Sequence, residues 1–171
     1  MANYQEWIVK DPWFAAQTPA NAKSASVELG SGTNGKVTIV YDKKGTDGNA
    51  YSVEVVVAEG NSAPLAASLN GKKLTVSLAT NSGGTADDTK NTAKLISAAI
   101  NTIDGFIATY SGTGATAISA AVAEAELEGG QYGTACIEAN TVIKGSEYYY
   151  ICTQGGDSVS AQWKRFSLAD Y

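Results

Sequence analysis

Histidine is absent from all 171 residues, which removes the side chain most often used as a general base or metal ligand at neutral pH. A Ser-His-Asp or Cys-His arrangement therefore cannot be built. Cysteine occurs only at Cys136 and Cys152, a spacing that gives neither a Cys-x-x-Cys redox motif nor, from these two alone, a zinc site. Charge is scarce and leans acidic, with a net charge of −5 and an isoelectric point near 4.7. Phosphate contacts need clustered Lys and Arg, and the best cluster, Lys43-Lys44 with nearby Lys36, reads as a solvated loop, so no nucleic-acid partner is expected. No apolar run approaches the roughly 20 residues of a membrane span, so no membrane insertion is expected. The opening Met-Ala-Asn-Tyr-Gln-Glu-Trp has neither the basic start nor the apolar stretch of a secretory leader, and Asn-x-Ser/Thr is missing throughout. These features predict a soluble protein made in a cytoplasm.

What is present is Gly, Ala, Ser, Thr and Val, a composition that favours short strands and turns over a helical bundle. Three zones separate. Residues 1–22 form an arm in which Trp7, Ile8, Trp13 and Phe14 lie among Pro12, Pro19 and polar residues without sustained periodicity. These rings either cap the chain's own core or dock on a neighbouring subunit, as aromatic anchors do at interfaces. Residues 23–131 read as one α+β domain with a mostly antiparallel β-sheet and one main amphipathic helix. Ser24–Leu29 and Lys36–Tyr41 alternate with period two around a loop with Asn34-Gly35 in its turn. Tyr51–Val57 is a third strand, and 65–69 and 72–79 flank an Asn70-Gly71 hairpin turn. One sheet is expected to hold Lys36–Tyr41, Tyr51–Val57 and Lys73–Ala79. Thr85-Ala-Asp-Asp88 matches a capping box for a helix around 88–103, with Ala93, Ile96, Ala99, Ile100 and Ile103 on one face and Gly105 at its close. Phe106–Tyr110 returns as a strand, while the Ala-rich 115–128 fits helix by propensity and an extended return otherwise. Residues 132–171 form a small C-terminal β module with strands near 135–139, 148–153 and 162–167.

No motif supplies catalytic, cofactor-binding or metal-binding residues. Gly30-x-Gly32-x-x-Gly35 matches the dinucleotide fingerprint as a string, but the next segment is a strand rather than a helix, so it reads as a hairpin loop. Asp42, Asp47 and Asn49 lack the register of a calcium loop and fit a turn. Glu124, Glu126 and Glu128 alternate with small residues and mark a solvent face. Cys136 and Cys152 are expected as half-buried thiols, with a disulfide formed outside the cell as the alternative.

Two stretches carry a resemblance. The Gly45-Thr-Asp-Gly-Asn49 turn, the Gly-Lys-Lys-Leu-Thr-Val-Ser-Leu-Ala-Thr run at 71–80, the Thr-rich approach to an Ala/Ile helix and Leu-Glu-Gly-Gly at 127–130 resemble a small α+β module of tailed-bacteriophage virion proteins. Such modules belong to tail-sheath-like, fibre and head-decorating proteins. The Tyr148-Tyr-Tyr-Ile-Cys152 strand followed by Ala161-Gln-Trp-Lys-Arg-Phe-Ser-Leu168 is similar to endings of phage fibre and head-surface proteins. The resemblance implies a non-enzymatic virion structural protein. Capsid decoration on the outer head surface, bound to the major capsid protein or other virion proteins, is its first form. A tail or fibre component with host-glycan binding through exposed Tyr and Trp is its second. It further implies a homo-oligomer, most simply a trimer, assembled in the host cytoplasm. Three consecutive tyrosines in a strand face both ways, so Tyr148, Tyr149 and Tyr150 with Trp163 and Phe166 are expected to offer rings to a subunit contact.

Overall fold

The computed structural model describes residues 20–135, 142–144 and 148–167, with backbone alone at 143–144 and 166–167. In chain order the strands are β1 (Ser24–Leu29), β2 (Val37–Lys44), β3 (Ser52–Val57), β4 (Ala66–Asn70), β5 (Lys73–Leu78), β6 (Phe106–Tyr110), β7 (Val122–Glu126), β8 (Val142–Lys144), β9 (Tyr148–Gln154) and β10 (Gln162–Ser167). Helix α1 (Ala93–Ile100) lies between β5 and β6. The fold is α+β and mostly antiparallel. Two compact units divide the chain, one spanning 24–130 and the other joining residues 20–23 to the described residues from 131 onward. Residues 20–23 thus belong with the C-terminal module, and the rest of the expected arm, residues 1–19, lies outside the described residues.

The expected single sheet is two. β2 sits in the antiparallel sheet β1-β2-β6, whereas β3 and β5 lie in the second sheet, ordered β4-β5-β3-β7. Period-two patterning fixes which face of a strand is buried but not which strand lies beside it. The separation arises at residues 45–50. There a short 3-10 turn, Asp47–Ala50, carries the chain out of β2 instead of folding it into a hairpin. Gly48 in that turn is buried so tightly that a Cβ would lie 2.8 Å from Ala25 Cβ and 2.9 Å from Tyr41 Cβ. β3 and β5 pair in parallel, with β4 placed beyond β5 by the intervening chain. Ser26 and Glu128 exchange two backbone hydrogen bonds of 2.8 and 3.0 Å, linking the first sheet to the chain leaving β7. The strands therefore follow one another as β6-β2-β1, then β7-β3-β5-β4. Helix α1 packs against β2, β4 and β6, so it touches the strands at both open ends of that series.

Leu29, Val37, Ile39, Val53, Val55, Leu74, Val76, Leu78, Ile96, Ile100 and Leu127 meet in one core. Complete burial of an aliphatic chain of this size contributes roughly 1.5–3 kcal/mol relative to exposure. A bulge in β7 admits its residues to that core: Val53 faces Ala125 but Val55 faces Val122, one residue out of step. Without the extra residue Val122 would turn to the opposite face; with it, Val122 packs on the core. The Ala-rich segment before β7 is extended. Its amides are held from outside, Thr116 N–H by Asn34 O at 3.1 Å and Ile118 N–H by Asn91 O at 2.9 Å.

The helix is shorter than the capping pattern suggested. Its N-cap is Thr92, whose hydroxyl accepts from Leu95 N–H at 3.4 Å, and not Thr85. Asp87 instead closes a turn, accepting from the Thr89 amide at 3.1 Å and from its hydroxyl at 2.6 Å. Short polar side chains that satisfy local backbone compete with helix formation in this way. Ile96 and Ile100 are fully buried, as the helical spacing requires. The β4–β5 hairpin loop is Gly71-Lys72, with Asn70 paired to Lys73 inside the ladder and only Gly71 at positive φ (61°). That pattern matches a turn needing glycine at its first central position, rather than the Asn-Gly form.

In the smaller unit β8, β9 and β10 form an antiparallel sheet in which Cys152 faces Trp163. Its core consists of Tyr150, Cys152, Ala161 and Trp163, with Tyr148 packed alongside. Residues 20–23 complete it: Thr134 N–H donates to Ala20 O at 2.8 Å, and Lys23 and Gln131 exchange bonds of 2.9 and 3.1 Å.

Four asparagines each grip both polar groups of one distant residue. Asn91 accepts from Ala79 N–H at 2.7 Å and donates to its carbonyl at 2.9 Å. Asn49 holds Gly130 at 2.8 and 2.9 Å, Asn101 holds Ala108 at 2.7 and 3.0 Å, and Asn21 holds Trp163 at 2.8 and 3.4 Å. Asn91 is fully buried, so its removal strands a donor and an acceptor away from water. Asn91→Ala is expected to cost about 2–4 kcal/mol of unfolding free energy and the exposed Asn101→Ala about 1 kcal/mol. Chemical denaturation checks this, and equal losses from the two variants would contradict it.

Candidate functional site

Trp7, Ile8, Trp13, Phe14 and Cys136 lie outside the described residues. Tyr150 and Trp163 are buried in the small unit, only 6% and 7% exposed, and Trp163 Nε1 donates to Thr134 O at 2.8 Å. Their rings are committed to that unit's own core. Tyr148 and Tyr149 are half-buried, and Arg165 stacks on the Tyr148 ring at 4.9 Å. Phe166 faces Tyr149 across the β9–β10 ladder. Cys152 is buried, with its thiol donating to Gln154 O at 3.2 Å. The expected aromatic surface is thus divided, with two of its described rings inside and two partly open.

Two polar constellations are assembled in the larger unit. The first lies across β7, β3 and β5. Lys73 Nζ stands 2.7 Å from Glu54 and 3.4 Å from Glu124. Thr75 donates its hydroxyl to Glu54 at 3.0 Å, and Ser52 donates its hydroxyl to Glu124. The hydrogen bond from Lys73 holds the Glu54 carboxyl below the ordinary glutamate range, with Thr75 assisting against the effect of burial. Reciprocally, Glu54 raises the Lys73 ammonium above its ordinary value. Both groups are locked in their charged forms at neutral pH, so neither is a proton-transfer group or a nucleophile there. This is a strap over three strands.

The second is a cleft that the sequence did not announce. Tyr41 within β2 and Tyr51 just before β3 lie on either side of the 45–50 turn and stack with centroids 4.8 Å apart and planes at 26°. Phe106 meets both edge-on, at 5.9 and 5.5 Å. These rings, with Leu69, Asp42, Lys43 and Asp104, line a cavity of about 360 Å³. The Asp42 amide donates to Gly105 O at 3.0 Å and so fixes the two loops against each other. Lys72 lies 5.9 Å above the Tyr51 ring. The Tyr41 phenol is raised above its ordinary value, first by its hydrogen bond with Tyr51, then by burial and by the neighbouring charges of Tyr51, Asp42 and Asp47. Aromatic residues on both sides of a short Gly-rich turn were the available signal, since a tight turn brings its flanks together.

Asp47 opens the 3-10 turn and Asn49 belongs to the Gly130 clasp; among the described residues there is no group of three metal-binding side chains. The Gly30–Gly35 string is the loop between paired strands β1 and β2. No described helix is long and apolar enough to cross a membrane. Comparison with protein-family models, curated proteins and solved structures found no match.

The strap generates a pH dependence. Glu54 has a depressed folded-state pKa, so its contribution to stability is present above the ordinary value of 4.5 and is lost as pH falls through the lower folded value. Thermal melts from neutral to acidic pH should therefore show a shallower loss for Glu54→Gln than for the parent chain. Parallel curves would rule out a contribution from this group.

Proposed function

We propose that this protein is a non-enzymatic structural component of a tailed-phage virion, and most simply a decoration protein on the outer head surface. The observation that carries this reading is the joint between two segments on which the resemblance rests. Asn49 closes the Gly45–Asn49 turn, and Gly130 closes Leu-Glu-Gly-Gly at 127–130. Although 81 positions apart, the two residues clasp each other through paired hydrogen bonds. A Cβ at Gly130 would lie 2.5 Å from Gly45 O and 2.7 Å from Asn49 Oδ1, so the fit requires glycine. The residues that recur in the resemblance are joints of a rigid module, which suits a building block of a particle better than an enzyme. The missing histidines agree with this, and so does the charge-locked strap. Contact with the major capsid protein or other virion proteins would be made by the arm (Trp7, Ile8, Trp13, Phe14) and by the partly open Tyr148 and Tyr149, in a homo-oligomer that is most simply a trimer.

Immunogold labelling of tailed particles from the source culture, with antibody raised against the purified protein, tests the assignment. Labelling over the head is expected. Labelling over the tail would favour a tail or fibre component, and unlabelled particles would contradict a virion role. Deleting residues 1–15 should leave cooperative melting intact and abolish particle binding; retention of binding would exclude the arm as the anchor.

A further inference from the structure

We propose that β4 is a docking edge for a second copy of this chain, the two β4 strands pairing antiparallel about a two-fold axis at Ala67. The pairing does not depend on a virion location. The Gly71-Lys72 loop closes on the Asn70–Lys73 pair, so Asn70, Ser68 and Ala66 direct their backbone groups to β5. Leu65, Ala67 and Leu69 direct theirs away from it, and no described residue bonds to them. Ala66, Ser68, Leu69 and Asn70 are exposed. From Ser62 to Gly71 there is no charged side chain, and no bulge interrupts the β4–β5 register. Charges within the strand and bulges are common protections of an edge, and β4 has neither. The opposite edge of the larger unit is closed. There Asn101 takes both backbone groups of Ala108, and Phe106 N–H donates to Ile103 O at 3.4 Å.

The strand is complementary to itself. Centring on Ala67 sets Ala67 against its counterpart and Leu65 against Leu69 of the second copy, so every outward group in the run meets another. The side chains in these rows are small or apolar, and no like charges meet even though each chain carries a net charge of −5. The antiparallel direction lays Lys72 of each copy beside the 59–62 turn of the other, which carries Glu59, so the charged ends are of opposite sign. Helix α1 extends the apolar surface. Its Asn101 side clasps β6, and Lys94 Cβ is within 3.0 Å of where a Cβ on Gly114 would stand, so this flank faces β6 and the loop after it. At 3.6 residues per turn, Leu95 and Ala99 fall on the other flank, the side of β4, and Leu95 is 43% exposed. Contacts of this modest extent lie below the roughly 1,200 Å² of a standard interface, so the dimer is a concentration-dependent one.

Sedimentation velocity and amide hydrogen exchange of the full chain, each run from micromolar to millimolar protein, test the pairing. A dimer is expected at the upper end, with exchange of the Ala67 and Leu69 amides slowing as it forms. Ala67→Pro removes an N–H that β5 does not use, and Ser68→Lys places an ammonium group on either side of the axis. Each should weaken the dimer at least about tenfold while melting as the parent does. Mixing Ser68→Lys with Ser68→Glu should restore it as a heterodimer. A parent chain that stays monomeric at millimolar concentration overturns the proposal, as does an oligomer that survives both edge variants. Ala67 and Leu69 amides protected at every concentration would overturn it too, by making a segment of the same chain, such as residues 1–19, the occupant of the edge.

Discussion

A side-chain carboxamide presents one donor and one acceptor in the same spacing as a peptide group, so it can stand in for a neighbouring strand. This chain uses that equivalence at Asn49, Asn91 and Asn101 in its larger unit and at Asn21 in its smaller one. Each clasp sits where backbone pairing stops. Asn91 seizes the residue just beyond β5, Asn49 fixes the chain after β7, and Asn101 covers Ala108 on the outer side of β6. In the last case the amide also blocks part of an edge strand, where unpaired groups would otherwise recruit another chain. Asn91 is the one the rest depends on. Its side chain holds Ala79, its own carbonyl receives the Ile118 amide, and its successor Thr92 caps the helix.

With those points fixed, burial supplies the bulk of the driving force. Ile39 from the first sheet, Leu74 and Val76 from the second, and Ile96 and Ile100 from the helix share one core, so neither sheet is stable as an isolated layer. The β7 bulge belongs to the same economy of space, since it turns Val122 inward while leaving Glu124 outside to meet Lys73. In the smaller unit a few aromatic residues suffice because residues 20–23 bring additional backbone pairing and the Asn21 clasp to Trp163.

Much of the local structure was legible in the sequence. Alternation located β1, β2, β3 and β5, and the spacing of Ile96 and Ile100 identified the buried face of the helix. The arrangement of strands into two sheets was not legible, because alternation assigns faces and says nothing of partners. The start of the helix misled for a chemical reason: Thr85-x-x-Asp88 has the form of a cap, yet the Thr85 hydroxyl accepts from the Asn81 amide and the Asp88 carboxylate from the Ser119 hydroxyl. Nor could the asparagine roles be read, since an Asn in a turn and an Asn clasping a distant backbone are the same letter. The apolar content of Tyr148–Tyr150 and Trp163 was plain, but its destination depended on Asn21 and Thr134, far away in the chain. The aromatic cleft was hidden likewise, because Tyr41, Tyr51, Leu69 and Phe106 come from four different segments.

The central claim is that side-chain amides replace backbone partners at structural joints. It is tested most directly by native-state hydrogen exchange at Ala79, whose N–H has Asn91 Oδ1 as its acceptor and lies in the interior. If the clasp is a fixed part of the fold, this amide exchanges only through global unfolding, with protection matching the central residues of β3 and β5. Exchange of Ala79 at the rate of an ordinary loop amide, while those strands remain protected, would contradict the account.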